Sequence, residues 1–333
     1  MDEDHSAKKG RSGIHLERFI SLIPVPYYLG WSLFAAAFLS ISCLVLLAFE
    51  KSLSQIEVFP IVSAIIVLEG TAINWTHDKI RSFDEILKNV IDLPNDAIRR
   101  AHERQEAEIF NEKRLTIFAI IFIIVVHISG IDYHELSFRS SLSYLAFNFG
   151  YYFAVYLMGI GLYLLFKTAQ TVYRIGKMPL KVDALFSDFQ AIGTLYSKFT
   201  IYAASAYVMW GFFHMVVPPR FSSLQLMLWF FGFTLLLFAY FIIPQYSIHG
   251  MMSSTKKEKI EIFSSRLKAA MDESFRVPTE ENVSHLKDML AVQDQLDRMC
   301  DWPFGKYDML RIALIIIVPL VILFLEMIYG IIK

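Results

Sequence analysis

Residues 27–49 read YYLGWSLFAAAFLSISCLVLLAF, a run without a single charged side chain. About 20 mostly apolar residues are enough for a helix to cross the roughly 30 Å hydrocarbon core of a bilayer. The first 19 residues of the chain are polar, and no small-residue cleavage site follows the run, so it predicts an uncleaved membrane-spanning helix rather than a signal peptide. This stretch places the chain among membrane proteins.

The rest of the chain repeats the pattern. Of all residues 55% are hydrophobic and 19% are charged, and the mean hydropathy is +0.46, which is more apolar than a soluble protein of this length. We predict an all-α polytopic membrane protein with seven transmembrane helices at Tyr27–Phe49, Val58–Trp75, Leu115–Ile131, Tyr144–Phe166, Phe199–Val217, Leu224–Ile243 and Ile312–Ile332.

The basic residues predict the orientation. With these seven spans, 27 of the 31 Lys and Arg residues fall on one side, and only Lys51, Arg139, Arg220 and Lys333 fall on the other. Cytoplasmic loops are enriched in Lys and Arg, so the N-terminus is predicted inside and the C-terminus outside. Omitting the short second span would move the next basic segment to the wrong side. The predicted location is the plasma membrane.

The predicted cytoplasmic parts are long and helical, whereas the outer loops are short. Residues 1–26 form an N-terminal arm, and residues 27–243 hold spans one to six, with cytoplasmic helices at 76–114 and 167–198. Within 76–114 we expect two helices, broken at Asp92–Asn95, the second running straight into span three. Residues 244–305 form a helical hairpin, and residues 306–333 hold span seven.

The hairpin is predicted from two apolar stripes at spacings of three and four residues. Leu267 lies on the first stripe and Leu290 on the second, and Trp302, Pro303 and Phe304 end the second helix. An amphipathic helix in water needs a surface against which to bury its stripe. The stripes pack either on the other inner helices of the same subunit or in a bundle shared around a subunit axis.

Two carboxylates within the spans are the main candidates for function, because charged groups there are costly and often functional. Glu69 lies in span two and Glu326 in the outer third of span seven. Each is either a member of an ion pathway or a side chain bonded to a neighbouring helix. Pro319 would kink span seven, as helices that line cavities often are. Small residues of span four, among them Gly150, Gly159 and Gly161, predict close helix packing.

Other function classes have no support. The chain has no Gly-rich phosphate loop and none of the C-x-x-C, H-E-x-x-H or G-x-S-x-G motifs, so no enzyme, catalytic residue or metal site is predicted. His127 and His214 have no second pair at matching spacing, which predicts packed histidines rather than haem ligands, and no cofactor. A net charge of −1 gives no indication of nucleic-acid binding.

The layout resembles the seven-transmembrane ion channel superfamily, which includes insect odorant and gustatory receptors. Leu224–Arg276 is similar to the long sixth helix of that family, Glu280–Met299 to the inner half of its seventh helix, and Gly305–Ile332 to the pore half. The resemblance implies a homotetramer with the last helix at the pore. The family's Thr-Tyr and Gln-Phe motif near the end of that helix is missing here.

We therefore expect a homo-oligomeric, cation-preferring channel in the lipid bilayer, with span seven lining the pore and a ring of Glu326 at its mouth. Two alternatives stay open. One is a proton-coupled transporter that uses Glu69 with a polar partner such as Asn74, and the other is a non-conducting sensor or scaffold that binds a cytoplasmic partner. The sequence names no ligand.

Overall fold

The computed structural model describes residues 15–50, 56–129, 138, 140–179, 181, 188–216 and 223–297, together with positions 302, 310, 313, 317 and 321. At 188–191, 215 and 223–230 it describes the backbone alone. The described chain is helical, and its only β feature is a single bridge at Ile91. The prediction of an all-α fold is confirmed.

The described residues form ten helices, numbered here in chain order. They are α1 (His15–Ser21), α2 (Tyr27–Phe49), α3 (Val58–Arg81), α4 (Phe83–Val90), α5 (Asn95–Ile109), α6 (Glu112–Ile128), α7 (Ser141–Ile175), α8 (Asp188–Val216), α9 (Ser223–Arg276) and α10 (Glu280–Asp297). Within the described residues, four helices are long and apolar enough to cross a membrane: α2, α3, α7 and the Phe231–Arg276 part of α9.

Two further predicted spans coincide largely with α6 and α8, and the seventh falls almost wholly outside the described residues. The number of seven spans and the orientation therefore stay predictions. The outer surface of the bundle is apolar on α2 and α6, where large side chains such as Leu44, Leu47, Ile121 and Ile128 are exposed. Soluble monomers rarely expose contiguous apolar surface of this kind, whereas a membrane protein presents it to lipid.

Residues 76–114 differ from the expected two helices. The second predicted span continues to Arg81, α4 and α5 follow, and α5 ends at Ile109 instead of running into α6. The reason is local: the side chain of Asn111 accepts a hydrogen bond from the backbone N–H of Arg114 at 3.0 Å. This bond caps a new helix and separates α5 from α6.

Small residues bring α7 and α3 close to their neighbours. A Cβ on Gly70 of α3 would lie 2.3 Å from a ring atom of Trp31, and a Cβ on Gly150 of α7 would lie 2.1 Å from Phe38. Trp31 and Phe38 are both on α2, so both glycines accept a large ring of that helix. Gly161 of α7, in contrast, faces open space.

Ion pairs tie the polar ends of the helices together. Glu108 of α5 accepts a hydrogen bond from Lys167 of α7 at 2.6 Å and lies 3.4 Å from Arg174. These two cations, Lys167 first, hold the pKa of Glu108 below its usual range. Glu17 of α1 pairs with the buried His77 at the end of α3, which attaches the N-terminal helix to the bundle.

The hairpin predicted at the end of α9 is formed by α9 and α10. Asn282 donates its backbone N–H to the hydroxyl of Thr279, which caps α10, and Lys256 of α9 donates to the carbonyl oxygen of Asp297 at 3.1 Å. Trp302 stacks on His249 with 4.0 Å between ring centroids. Thus α10 returns antiparallel along α9. Pro303 and Phe304 lie outside the described residues.

Candidate functional site

A half-open cavity of about 150 Å³ lies between helices of the bundle. Its walls come from α3, α6, α7, α8 and α9, and nearly all of the side chains that line it are aliphatic or aromatic. No Lys or Arg is among the lining residues that the structure describes. An apolar core cavity of about 150 Å³ is known to hold a molecule of benzene. The cavity is therefore large enough for a small organic molecule.

Glu69 is the only carboxylate among the described residues that line this cavity. Its side chain is buried, at 5% exposure, and its Oε1 accepts a hydrogen bond from the indole Nε1 of Trp210 at 2.8 Å. Its Oε2 is buried and has no hydrogen-bond partner among the described residues. A buried carboxyl oxygen without a donor is costly, which makes Glu69 the candidate binding group in the wall of this cavity.

The neighbouring residues of α3 hold Glu69 in place. One turn of α3 packs on α2, where Trp31 lies against Gly70 and donates its indole N–H to Asn74 Oδ1 at 2.9 Å. Asn74 is thus paired with Trp31 rather than with Glu69, contrary to the pairing considered from the sequence. Because Gly70 and Asn74 lie one turn apart on the face that Trp31 fixes, Glu69 is directed to the adjacent face and into the cavity.

Aromatic rings surround the carboxylate. The ring of Tyr151 meets that of Trp210 edge to face at 6.1 Å and stacks on Phe213 at 5.9 Å. His214 lies beside Trp210, with 6.4 Å between ring centroids, and also lines the cavity. The hydroxyl of Tyr207 forms a hydrogen bond of 3.0 Å with Thr234, which joins α8 to α9. The rings therefore leave a defined space rather than a collapsed core.

A proline in α9 organises the end of the cavity that Thr168 lines. Pro244 has no N–H, so the carbonyl of Tyr240 lacks its helical donor. The hydroxyl of Tyr196 donates to that carbonyl at 2.6 Å. The hydroxyl of Tyr240 in turn lies 3.4 Å from that of Thr168. The missing helical bond is thus replaced by one that ties α8 to α9.

The residues that the sequence singled out as site candidates have different outcomes in the structure. Glu69 lines the cavity, whereas Glu326 and Pro319 lie outside the described residues. His127 forms a 2.9 Å hydrogen bond with Tyr152 on the exposed side of α6, and His214 lies at the cavity. The sequence did not single out Trp210. Its signal was that a tryptophan in a predicted span needs an acceptor for its N–H, and that Glu69 is one of only two carboxylates in the predicted spans.

Comparisons with protein-family models, with curated proteins and with solved structures give no match to this chain. The resemblance to the seven-transmembrane ion channel superfamily stays a prediction from the layout of the sequence.

Proposed function

We propose that this chain is a multi-pass membrane protein that binds a small organic molecule inside its helix bundle. The observation that carries the proposal is the cavity of about 150 Å³ with one buried, half-bonded carboxylate in its wall. A largely apolar pocket with a few convergent polar groups is the usual form of a small-molecule site. The bound molecule would be held mainly by contact with the aromatic side chains that line the cavity.

Filling the cavity tests this proposal. Gly161→Leu adds a side chain where a Cβ meets nothing within 4 Å, and Gly161 lines the cavity. Benzene at about a hundredfold excess over its Kd is expected to raise the melting temperature of the wild-type protein by about 5 °C. Gly161→Leu should abolish that rise, because the added side chain occupies the space. Melting is followed by tryptophan fluorescence in lipid nanodiscs.

The matched control is Gly232→Leu. Gly232 is also a helical glycine with nothing within 4 Å of its Cβ, but it is exposed on α9 and does not line the cavity. This variant should respond to benzene as the wild type does. Equal benzene stabilisation in all three proteins would show that benzene acts elsewhere and would remove the support for a binding cavity.

The second candidate function is a homo-oligomeric, cation-preferring channel. It is supported by α9, a single helix of 54 residues and about 80 Å in length, and by α10, which folds back on it. The hairpin of a single chain leaves large apolar side chains exposed, among them Met271, Phe275, Val283 and Leu290. A second copy of the chain could cover these side chains, and such a contact between subunits is expected in the oligomer that the sequence predicts.

The channel proposal is tested at Glu326. A ring of carboxylates at a pore mouth concentrates cations, so Glu326→Gln should reduce the preference for sodium or potassium over chloride without changing assembly. Protonation of the ring should also weaken cation flux at acidic external pH. Both effects are measured as ion flux into liposomes that contain the purified protein.

An unchanged selectivity and pH response in Glu326→Gln would remove Glu326 from the conduction path. Absence of flux in the wild type would favour the non-conducting sensor or scaffold. The proton-coupled transporter that uses Glu69 differs from both in that it would carry the bound molecule across the liposome membrane.

A further inference from the structure

We propose that the cavity selects a small organic amine, with the carboxylate of Glu69 as the counter-ion of its ammonium group. This inference rests on the proposed binding function and names the chemical class of the molecule bound. It is carried by the position of Glu69, the state of its two oxygens and the rings around it.

The two oxygens of Glu69 differ in their hydrogen-bond partners. Trp210 satisfies Oε1 at 2.8 Å, while Oε2 has no donor among the described residues although it is fully buried. A single indole N–H does not compensate a carboxylate that is removed from water. An ammonium group supplies both a positive charge and further N–H donors, and the side chain of Glu69 lines the cavity in which such a group would bind.

A proton shared between the ligand and Glu69 keeps the bound pair neutral. When an amine and a carboxyl group meet, one proton is shared between them, whichever of the two carried it before. The bound pair is net neutral, so no isolated charge is left in the low-dielectric bundle. An anionic ligand would instead add a second negative charge, and no Lys or Arg among the described lining residues would balance it.

The walls of the cavity also favour a cation with an apolar body. Trp210, Tyr151, Tyr202 and Tyr207 all line the cavity, and the face of an aromatic ring attracts a cation. Most of the remaining lining residues have aliphatic or phenylalanine side chains, which would contact the apolar body of the ligand. With a volume of about 150 Å³, the cavity fits an amine whose body is about the size of a benzene ring.

The test compares benzylamine with two neutral molecules of nearly the same shape, ethylbenzene and benzyl alcohol. Binding to the wild-type protein in nanodiscs is measured by the shift in melting temperature as a function of concentration. We expect benzylamine to bind about tenfold to a hundredfold more tightly than either neutral molecule, as a hydrogen bond to a charged group provides. Glu69→Gln keeps an acceptor for Trp210 and removes the charge, so this preference should be lost while ethylbenzene binding is retained.

The possible outcomes separate the inference from the binding function on which it rests. Equal binding of all three molecules to the wild type would overturn the amine and leave the binding function standing. A preference for benzylamine that persists in Glu69→Gln would also overturn it, because the amine would be held elsewhere. Tighter binding of benzyl alcohol would show that Oε2 takes a neutral donor. Failure of all three to bind would overturn the binding function itself. If Glu69→Gln does not fold, the wild-type comparison decides alone.

Discussion

Gly70→Ala is expected to lower the free energy of unfolding by about 2–3 kcal/mol, the upper part of the range of about 1–3 kcal/mol for overpacking a well-filled core. The new Cβ would lie 2.3 Å from a ring atom of Trp31. Trp31 cannot move aside at low cost, because it is fully buried and its indole N–H is bonded to Asn74 at 2.9 Å. Chemical or thermal unfolding in detergent measures the loss in free energy. The substitution should also break the hydrogen bond between Trp31 and Asn74, because it displaces the indole ring.

Gly161→Ala is the control for this prediction. It makes the same chemical change in another helix, but its Cβ meets nothing within 4 Å. Alanine is favoured over glycine in a helix interior by about 1 kcal/mol, so Gly161→Ala should be neutral or slightly stabilising. If Gly70→Ala melts at the same temperature as Gly161→Ala, the close contact between α2 and α3 is not present in the folded protein.

The helix bounds were predictable where an apolar run has clear ends. The first span was predicted at Tyr27–Phe49, and α2 has the same bounds, because Pro26 precedes the run and Glu50 follows it. The turn at Val277–Thr279 between α9 and α10 likewise contains a proline and a capping threonine, both visible in the sequence. The breaks at Ser82 and Asn111 were missed, because both lie in a polar stretch with good helix formers on either side and without Pro or Gly.

The candidate site was only half predictable. Glu69 stands out from sequence alone, because a carboxylate in an apolar run is rare. Its partner Trp210 does not stand out from the sequence. Trp210 is 141 residues away from Glu69, and a tryptophan in an apolar stretch cannot be distinguished by pattern from the other apolar residues. The same holds for Trp31 and Asn74, which are 43 residues apart. Such pairs depend on which helices become neighbours, and helical periodicity gives a face but not the identity of the helix that it meets.

The two faces of α3 have different roles, because one packs on α2 and the other lines the cavity. On one face Gly70 and Asn74 fix α3 to Trp31 of α2, and on the other Glu69 and Ile73 line the cavity. Because the contact between Trp31 and α3 is tightly packed, the position of Glu69 in the cavity is fixed in the absence of a ligand. Such preorganisation reduces the ordering cost of binding. It also means that Gly70→Ala is expected to weaken benzylamine binding although Gly70 is not among the residues that line the cavity.

Leu267→Asp is expected to be the most disruptive change in the hairpin. Leu267 of α9 is 7% exposed, so an aspartate there would carry a charge into an apolar contact. The expected loss in the free energy of unfolding is several kcal/mol, on the order of 3–5, as for other charges buried without a partner. Loss of folded protein, measured by thermal melting and by monodispersity in size-exclusion chromatography, is the expected result.

Leu290→Asp makes the same change on the facing stripe, where the sequence predicted the same burial, but Leu290 of α10 is 48% exposed in a single chain. A charge at this position stays in water, so the free energy of unfolding of the single subunit should change by about 0.5 kcal/mol or less, and its melting temperature should change little.

If α10 packs on a second copy, Leu290→Asp should nevertheless dissociate the oligomer, because the charge would lie at a subunit contact. Light scattering coupled to chromatography gives the mass. A folded Leu290→Asp protein with the wild-type mass would show that this face of the hairpin does not contact another subunit. If Leu267→Asp melts at the same temperature as the wild type, the apolar stripe of α9 is exposed to water instead of being buried.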